Sequence, residues 1–237
     1  MTDHILYSFR RCPYAMRARL ALQSGGITVA LREVVLRDKP AEMLRASPKG
    51  TVPVLITGDQ MVSAGAPVPG AGGPVVSAGG PVANAAAQVV EESLDVMFWA
   101  LGRNDPEGWL DMPATGHALI AECDGPFKTS LDRYKYASRH PETDANEERA
   151  NASLFLHRLD QMLVGKNWLF GEISLADMAM LTFVRQFANV DRAWFDAEPW
   201  PDLQRWLETF LASDRFLAIM QKYPQWQPGD ALTFFPE

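Results

Sequence analysis

The alternation of hydrophobic and polar side chains divides the chain into two regions of different structure. In the first hundred residues, short runs such as "HILYSF" place hydrophobic residues at every second position, here 5, 7 and 9, in alternation with Leu6 and Ser8, which is typical of β-strands. Helical patterns such as "PYAMRARLALQSGG" at 13–26 lie between these runs. Their order predicts strand, helix, strand, helix, strand, a further short strand and a helix.

Strand patterns nearly vanish beyond about Asp105, where apolar residues recur at helical spacing. Glycine and proline residues between 101 and 113 mark the change of composition. We therefore predict an α/β domain over residues 1–102 and an all-helical domain over residues 103–237. The helices of the second domain are predicted at 116–123, 127–140, 146–165, 174–190 and 201–223.

Residues 62–89 interrupt the first domain with a low-complexity segment. The run "VSAGAPVPGAGGPV" is followed by the similar run "VSAGGPVANAAAQV", which indicates a tandem duplication. The segment contains no charged or aromatic residue and is rich in glycine and proline, so we expect no normal core strand in it. We interpret it as a passenger loop inserted into a hairpin. A lid or a partner-binding loop is the alternative.

Composition narrows the possible partners and the location. The formal net charge of -7 argues against nucleic acid or an anionic membrane as the main partner, and no apolar run is long enough to span a bilayer. The two cysteines do not form a disulfide framework, and the histidines show no metal-ligand spacing, so we predict no bound metal. Because the first residues lack the pattern of a signal peptide, we expect a cytoplasmic protein.

Cys12 is the first candidate for chemistry, because it lies directly before Pro13 at the predicted start of a helix. Proline suits the first helical position, which puts Cys12 at the N-cap and at the positive end of the helix dipole. Arg10, Arg11 and Arg17 add positive charge nearby. These features favour the thiolate and predict a reactive nucleophile; the alternative is a small cysteine that only packs. The motif has no second cysteine, so a resolving thiol must come from another molecule.

The run "TVPVLIT" contains a proline where a central strand is predicted. Proline cannot donate to a strand ladder, so we expect the strand to begin at Pro53, after a Val52–Pro53 bond of special, cis geometry. The Val52 backbone would then be available to pair with an extended peptide. The alternative is a plain proline at the start of a strand.

Charged and polar residues near the strand ends could bind the termini of such a peptide. Ser93 is predicted to cap a helix whose first N–H groups suit a carboxylate, and Glu92 could bind an ammonium group. Taken alone, this pattern is an ordinary helix cap. Lys39 and Lys49 offer positive charge near the strand edges, although single lysines usually only contact solvent.

Together, these motifs resemble the N-terminal, thioredoxin-like domain of cytosolic glutathione transferases. The runs that carry the resemblance are "RRCPYAMRARLAL", "KPAEML", "SPKGTVPVL" and "EES" before a helix. The cysteine-type, omega-like branch is the most similar, because Cys12 stands where other branches carry Tyr or Ser. Ser174 and Asp177 match the S-x-x-D capping box in the helical second domain of that family. The resemblance covers nearly the whole chain except 62–89, and it implies a thioredoxin-like domain followed by a helical bundle.

The resemblance also implies a glutathione site in which the Cys12 thiol forms a mixed disulfide with glutathione. Tyr14 stands beside it, where the family frequently has Phe. The family often forms homodimers, and the inserted segment lies close to the edge used for this. The implied glutathione contacts are Lys39 with the glycine end, the Val52 backbone before cis-Pro53 with the cysteinyl unit, and Glu92 and Ser93 with the γ-glutamyl group.

The function implied is glutathione-dependent thiol transfer, meaning reduction or deglutathionylation through a mixed disulfide at Cys12. Its second substrate would be a mixed disulfide of a small molecule or a protein. One alternative is conjugation, in which the thiolate of glutathione itself attacks an electrophile. A third possibility is a non-catalytic protein that uses the same fold to bind ligands or partners.

Overall fold

The computed structural model describes residues 4–58 and 88–236. They form two compact units: the first contains the chain up to Pro106 together with the residues from Ala218 onward, and the second spans Glu107–Leu217. The first unit contains the sheet and the second is helical. This architecture confirms the predicted combination of a thioredoxin-like α/β part and an all-helical part.

A mixed sheet forms the centre of the first unit. Its parallel pair consists of β1 (Ile5–Ser8) and β2 (Val29–Glu33), which are joined by helix α1 (Pro13–Ser24), the long crossover that parallel strands require. The pairs β1–β3, β3–β4 and β2–β5 are antiparallel. Within the described residues the strands are β1 (Ile5–Ser8), β2 (Val29–Glu33), β3 (Val54–Thr57), β4 (Gln88–Val90) and β5 (Phe234–Phe235), in the order β4-β3-β1-β2-β5.

The period of two in the strands gives the sheet two buried faces. Tyr7 of β1 and Ile56 of β3 share one core cluster with Met43 of α2 (Ala41–Ala46). Helix α3 (Ser93–Leu101) packs against α1. Successive strand residues point to opposite faces, so the alternation that predicts the strands also predicts which side chains share a face of the sheet.

The C-terminal segment belongs to the first unit, whereas the sequence-based division assigned it to the helical domain of residues 103–237. Phe235 of β5 is buried and pairs with Val29 of β2. The Trp226 N–H donates to the Glu33 carbonyl oxygen at 2.8 Å, which fixes the segment along the same edge. A strand of two residues has no visible period, so only its tertiary contacts reveal it.

Strand β4 begins inside the predicted passenger loop. The structure assigns Gln88 and Val89, the last two residues of the 62–89 segment, to this strand, so the expectation of no core strand is wrong at that end. Val89 pairs with Ile56 and packs against the core cluster. The strand forms where β-branched residues follow the glycine- and proline-rich stretch. The rest of the segment, 62–87, lies outside the described residues.

The helical part of the chain contains two features that the sequence pattern did not predict. One is the short helix α8 (Arg192–Ala197). The other is a break at Ser213, whose hydroxyl accepts the Phe216 N–H at 3.3 Å and so starts a new helix within the predicted 201–223 segment. The helices are α4 (Ala114–Glu122), α5 (Lys128–Lys135), α6 (Ala145–Leu163), α7 (Leu175–Ala188), α8 (Arg192–Ala197), α9 (Pro201–Leu211) and α10 (Asp214–Ile219), with a π-helical turn at Cys123–Phe127 between α4 and α5.

The predicted capping box starts α7. The Ser174 hydroxyl accepts the Asp177 N–H at 3.4 Å, and the Asp177 carboxylate accepts the Ser174 N–H at 3.0 Å. Asp177 also accepts the indole N–H of Trp206 at 3.1 Å. Burial raises the pKa of Asp177 above its ordinary value, and these hydrogen bonds oppose the shift.

Candidate functional site

Cys12 stands at the N-cap of α1, where the sequence predicts it. Its backbone is extended, with φ −77° and ψ 122°, and Pro13 occupies the first turn. The Cys12 N–H donates to the Phe9 carbonyl oxygen at 2.9 Å, and the Cys12 carbonyl accepts the Met16 N–H at 2.9 Å. The side chain is half-buried and packs against the core cluster of the first unit. The thiol therefore lies at the positive end of a helix dipole and remains accessible to a reactant.

Val52 lies directly across from this thiol. The Cys12 Sγ is 3.8 Å from the Val52 carbonyl oxygen. The Val52–Pro53 peptide bond is cis, as the misplaced proline indicates, and β3 begins at Val54 immediately after it. Across residues 4–58 and 88–236, the Val52 N–H has no hydrogen-bond partner. The fold therefore places a backbone donor, the Val52 N–H, on the residue whose carbonyl oxygen faces the Cys12 sulfur.

Two of the arginines near Cys12, Arg10 and Arg17, form hydrogen bonds with other residues. Arg10 donates its backbone N–H to Glu33 at 2.7 Å and its guanidinium to the Met220 carbonyl oxygen at 3.1 Å. Arg17 is fully buried, lies 5.8 Å from the ring centre of Tyr14 and donates to Ser93 Oγ at 3.5 Å. These partners differ from the sequence-based view of the arginines as charges serving the thiol.

Lys39 is held beside the turn that leads to Val52. A Cβ on Gly50 would be 3.7 Å from the Lys39 Nζ, so the ammonium group lies close to this glycine. Gly50 has a φ of +64°, a left-handed conformation that favours glycine. Lys39 forms no ion pair with any residue in the described part of the chain. Its charge is therefore available near the backbone that precedes Val52.

Glu92 and Ser93 stand at the start of α3, but in different positions from those predicted. Glu92 is the N-cap, with an extended backbone at φ −90° and ψ 134°, and Ser93 is the first helical residue. Ser93 is buried, and its hydroxyl accepts the hydrogen bond from Arg17 rather than capping the helix. The prediction of a Ser93 side-chain cap is therefore wrong. The first backbone N–H groups of α3, which have no partner within the helix, still lie next to Glu92 and Ser93.

Lys49 makes a contact that the sequence analysis missed. Its ammonium group forms an ion pair with Glu92, the residue expected to bind an ammonium group of the ligand. The two positions are far apart in sequence and show no shared periodicity, so no local signal indicates the pair. Segment 49–52 thus contacts two predicted site residues, Glu92 through Lys49 and Cys12 through Val52, and passes close to the Lys39 ammonium group at Gly50.

Neither a metal cluster nor a membrane-spanning helix occurs in the described ranges. No group of three or more His, Cys, Asp or Glu side chains is arranged to hold a metal ion there. The helices found in those same ranges include none with the length and apolar character needed to cross a membrane.

Two protein-family models match the chain. Residues 6–64 match the model described as glutathione S-transferase, N-terminal domain, and residues 145–209 match glutathione S-transferase, C-terminal domain. A curated protein of Aplysia californica, named probable glutathione transferase, is 45% identical over 47 residues. These residues are 20% of this chain and 51% of that protein, so the match spans about half the length of this relative.

Solved structures share the fold over nearly the entire chain. A glutathione transferase family member from Pseudomonas fluorescens, with two glutathione molecules bound, has a TM-score of 0.69 at 18% identity and covers 92% of both chains. Glutathione transferase Omega 3C from Trametes versicolor has a TM-score of 0.68 at 18% identity, covering 93% of this chain and 85% of that one. A glutathione transferase from Pseudomonas putida, with glutathione disulfide bound, has a TM-score of 0.67 at 16% identity and covers 92% and 90%.

The two family models describe the two successive domains of a single family, and they occur here in the same order. They fall on strands β1 to β3 of the first unit and on helices α6 to α9 of the second. Since they match more than half of the chain together, the protein belongs to the glutathione S-transferase superfamily.

Proposed function

We propose that the protein is a cysteine-type, omega-like thiol transferase that reduces glutathione mixed disulfides through Cys12. The observation that carries the proposal is the position of the Cys12 thiol at the N-cap of α1, half-buried and 3.8 Å from the Val52 carbonyl oxygen. A helix N-terminus favours the thiolate, which is the nucleophilic form. A Tyr- or Ser-type transferase would need a hydroxyl at this position to activate glutathione.

Glutathione fits the groups around this thiol. The Val52 N–H and C=O would pair with the cysteinyl unit, as in strand addition, and bring its sulfur next to Cys12. Lys39 would bind the glycine carboxylate. The N-terminal N–H groups of α3 would bind the γ-glutamyl carboxylate, and Glu92 the ammonium group. Two similar structures contain glutathione or its disulfide, which supports the same ligand for this chain.

The reaction proceeds by two thiol–disulfide exchanges. The Cys12 thiolate attacks the glutathione sulfur of a mixed disulfide, forms a Cys12–glutathione disulfide and releases the substrate thiolate, which takes up a proton from solvent. A second glutathione thiolate then attacks the glutathione sulfur of that disulfide. This step forms glutathione disulfide and restores the Cys12 thiolate. Each cycle converts one mixed disulfide and one reduced glutathione into the free substrate thiol and one glutathione disulfide.

This chemistry needs a pool of reduced glutathione, so we propose a cytoplasmic location. The second substrate would be a mixed disulfide of a small molecule or a protein. The homodimer that the family resemblance implies stays a prediction.

The test compares thiol transfer by the unaltered protein, Cys12→Ser and Cys123→Ser with a small glutathione mixed disulfide as substrate. We expect Cys12→Ser to lose activity at least a hundredfold, while Cys123→Ser keeps it, because Cys123 is fully buried in the helical unit. Intact mass after incubation with glutathione disulfide should show one glutathione adduct that dithiothreitol removes and that Cys12→Ser lacks. Activity in Cys12→Ser would refute the proposal. Conjugation of an electrophile without formation of the adduct would instead indicate a glutathione-conjugating enzyme. The absence of both the adduct and glutathione binding would indicate a non-catalytic binding protein.

A further inference from the structure

We propose that Lys49 competes with the α-ammonium group of glutathione for Glu92 and thereby weakens recognition of the γ-glutamyl end of the ligand. The proposal rests on the proposed function, because it concerns the same glutathione site. It assigns Lys49 as a residue that determines specificity through Glu92.

The ion pair itself is the first observation. The Lys49 ammonium group contacts the Glu92 carboxylate, and their side chains are 47% and 61% exposed. Within the described parts of the chain, neither side chain forms another ion pair or hydrogen bond. The carboxylate that we expect to bind a ligand ammonium therefore already has a positively charged partner within the chain.

The pair connects two positions that the fold holds in place. Lys49 precedes Gly50, whose left-handed backbone and N–H bond to the Ser47 carbonyl oxygen at 3.0 Å define the turn. Glu92 is the N-cap of α3, and the next residue is buried. Both backbones are held by neighbouring structure, so the ion pair between Lys49 and Glu92 requires only the two side chains to be ordered.

The two lysines next to this turn therefore have different tasks. Lys39 lies close to Gly50 and has no acidic partner among the described residues, so its ammonium group can donate to a ligand carboxylate. Lys49 is occupied by Glu92. A ligand ammonium reaches Glu92 only by displacing or sharing with Lys49. An anionic ligand without this ammonium leaves the pair intact.

The size of the competition follows from the exposure of the pair. Exposed ion pairs change an equilibrium constant by a factor of about five at most. Removing the Lys49 charge should therefore increase the contribution of the ligand ammonium about two- to fivefold. Low ionic strength brings the effect to the upper end of that range, because salt screens exposed charges.

Calorimetric titration with two ligands measures this contribution. S-methylglutathione binds without forming a disulfide, and its analogue without the α-amino group lacks only the ammonium. The dissociation constant of the analogue divided by that of S-methylglutathione gives the contribution of the ammonium group to binding. We expect this ratio to rise about two- to fivefold in Lys49→Gln. Lys39→Gln removes a neighbouring positive charge and should weaken both ligands while leaving the ratio unchanged. In Glu92→Gln, adding Lys49→Gln should not change the ratio.

A ratio that stays constant or falls in Lys49→Gln would overturn the proposal; a fall would show that Lys49 helps to bind the ligand. Failure of the unaltered protein to bind either ligand would instead refute the proposed glutathione site, and the role of Lys49 with it. Lys49 is an exposed side chain, so its variant should keep the melting temperature of the unaltered protein.

Discussion

Glu33→Ala is expected to destabilise the first unit strongly, because it removes one side of a buried ion pair. Arg19 on α1 is fully buried and pairs with the Glu33 carboxylate. Its guanidinium also donates to Ser8 Oγ at 2.8 Å and to the Ile219 carbonyl oxygen at 3.1 Å. Glu33 in addition accepts the Arg10 N–H at 2.7 Å. Alanine would leave a buried charge and a backbone donor without their carboxylate.

The magnitude follows from the burial of Arg19. Breaking a buried pair by removing one partner costs about 3–5 kcal/mol, because the remaining charge stays desolvated. Burial lowers the pKa of Arg19 below its ordinary value, although a guanidinium remains charged at neutral pH. In a protein of this size, each kcal/mol lowers the melting temperature by about 2–4 °C, so the variant should melt roughly 6–20 °C lower.

Scanning calorimetry of Glu33→Ala and Asp196→Ala measures the difference. Asp196 pairs with Arg192 on the surface, with side chains 49% and 39% exposed, and Arg192 keeps Glu208 as a second partner. The surface variant should lose no more than about 1 kcal/mol. Equal melting temperatures for the two variants would show that the Arg19–Glu33 pair does not stabilise the fold as its burial indicates.

Two further perturbations test the turn at the site and the inserted segment. Gly50→Ala should cost about 1–2 kcal/mol in urea denaturation, because its φ is +64°. It should also weaken glutathione binding, because the new methyl group would be tight against Leu44 Cδ2 at 3.2 Å and in ordinary contact with the Lys39 ammonium at 3.7 Å, where it would shield that group from a ligand. Gly26→Ala has a similar φ of +63° with nothing within 4 Å, so it should show the strain alone; equal binding by both variants would contradict a role for the Lys39 position. Deleting residues 62–87 should raise the melting temperature and keep glutathione binding, since shortening a loop about eightfold removes about 1.8 kcal/mol of closure entropy. A deletion variant that aggregates or melts lower would identify the repeat as an integral part of the structure.

Features that depend only on neighbouring residues can be predicted from the amino-acid sequence. The Cys12–Pro13 pair predicts the start of α1, and the misplaced Pro53 indicates the cis bond that the structure contains. The S-x-x-D spacing at Ser174 predicts the capping box of α7. Each signal acts over one helical turn or less, so local backbone geometry and hydrogen bonding are sufficient to specify it.

The contacts between residues that are distant in the sequence are evident only in the tertiary structure. The pairing of Lys49 with Glu92, the Arg17 bond to Ser93, and the addition of β5 to β2 join positions that share no periodicity in the sequence. The sequence predicts a solvent-exposed charge at Lys49 and a helix cap at Ser93. Their actual partners come within reach only when the sheet and helices bring separate segments together. Such contacts depend on the path of the whole chain, whereas a sequence pattern records only the local preference of each segment.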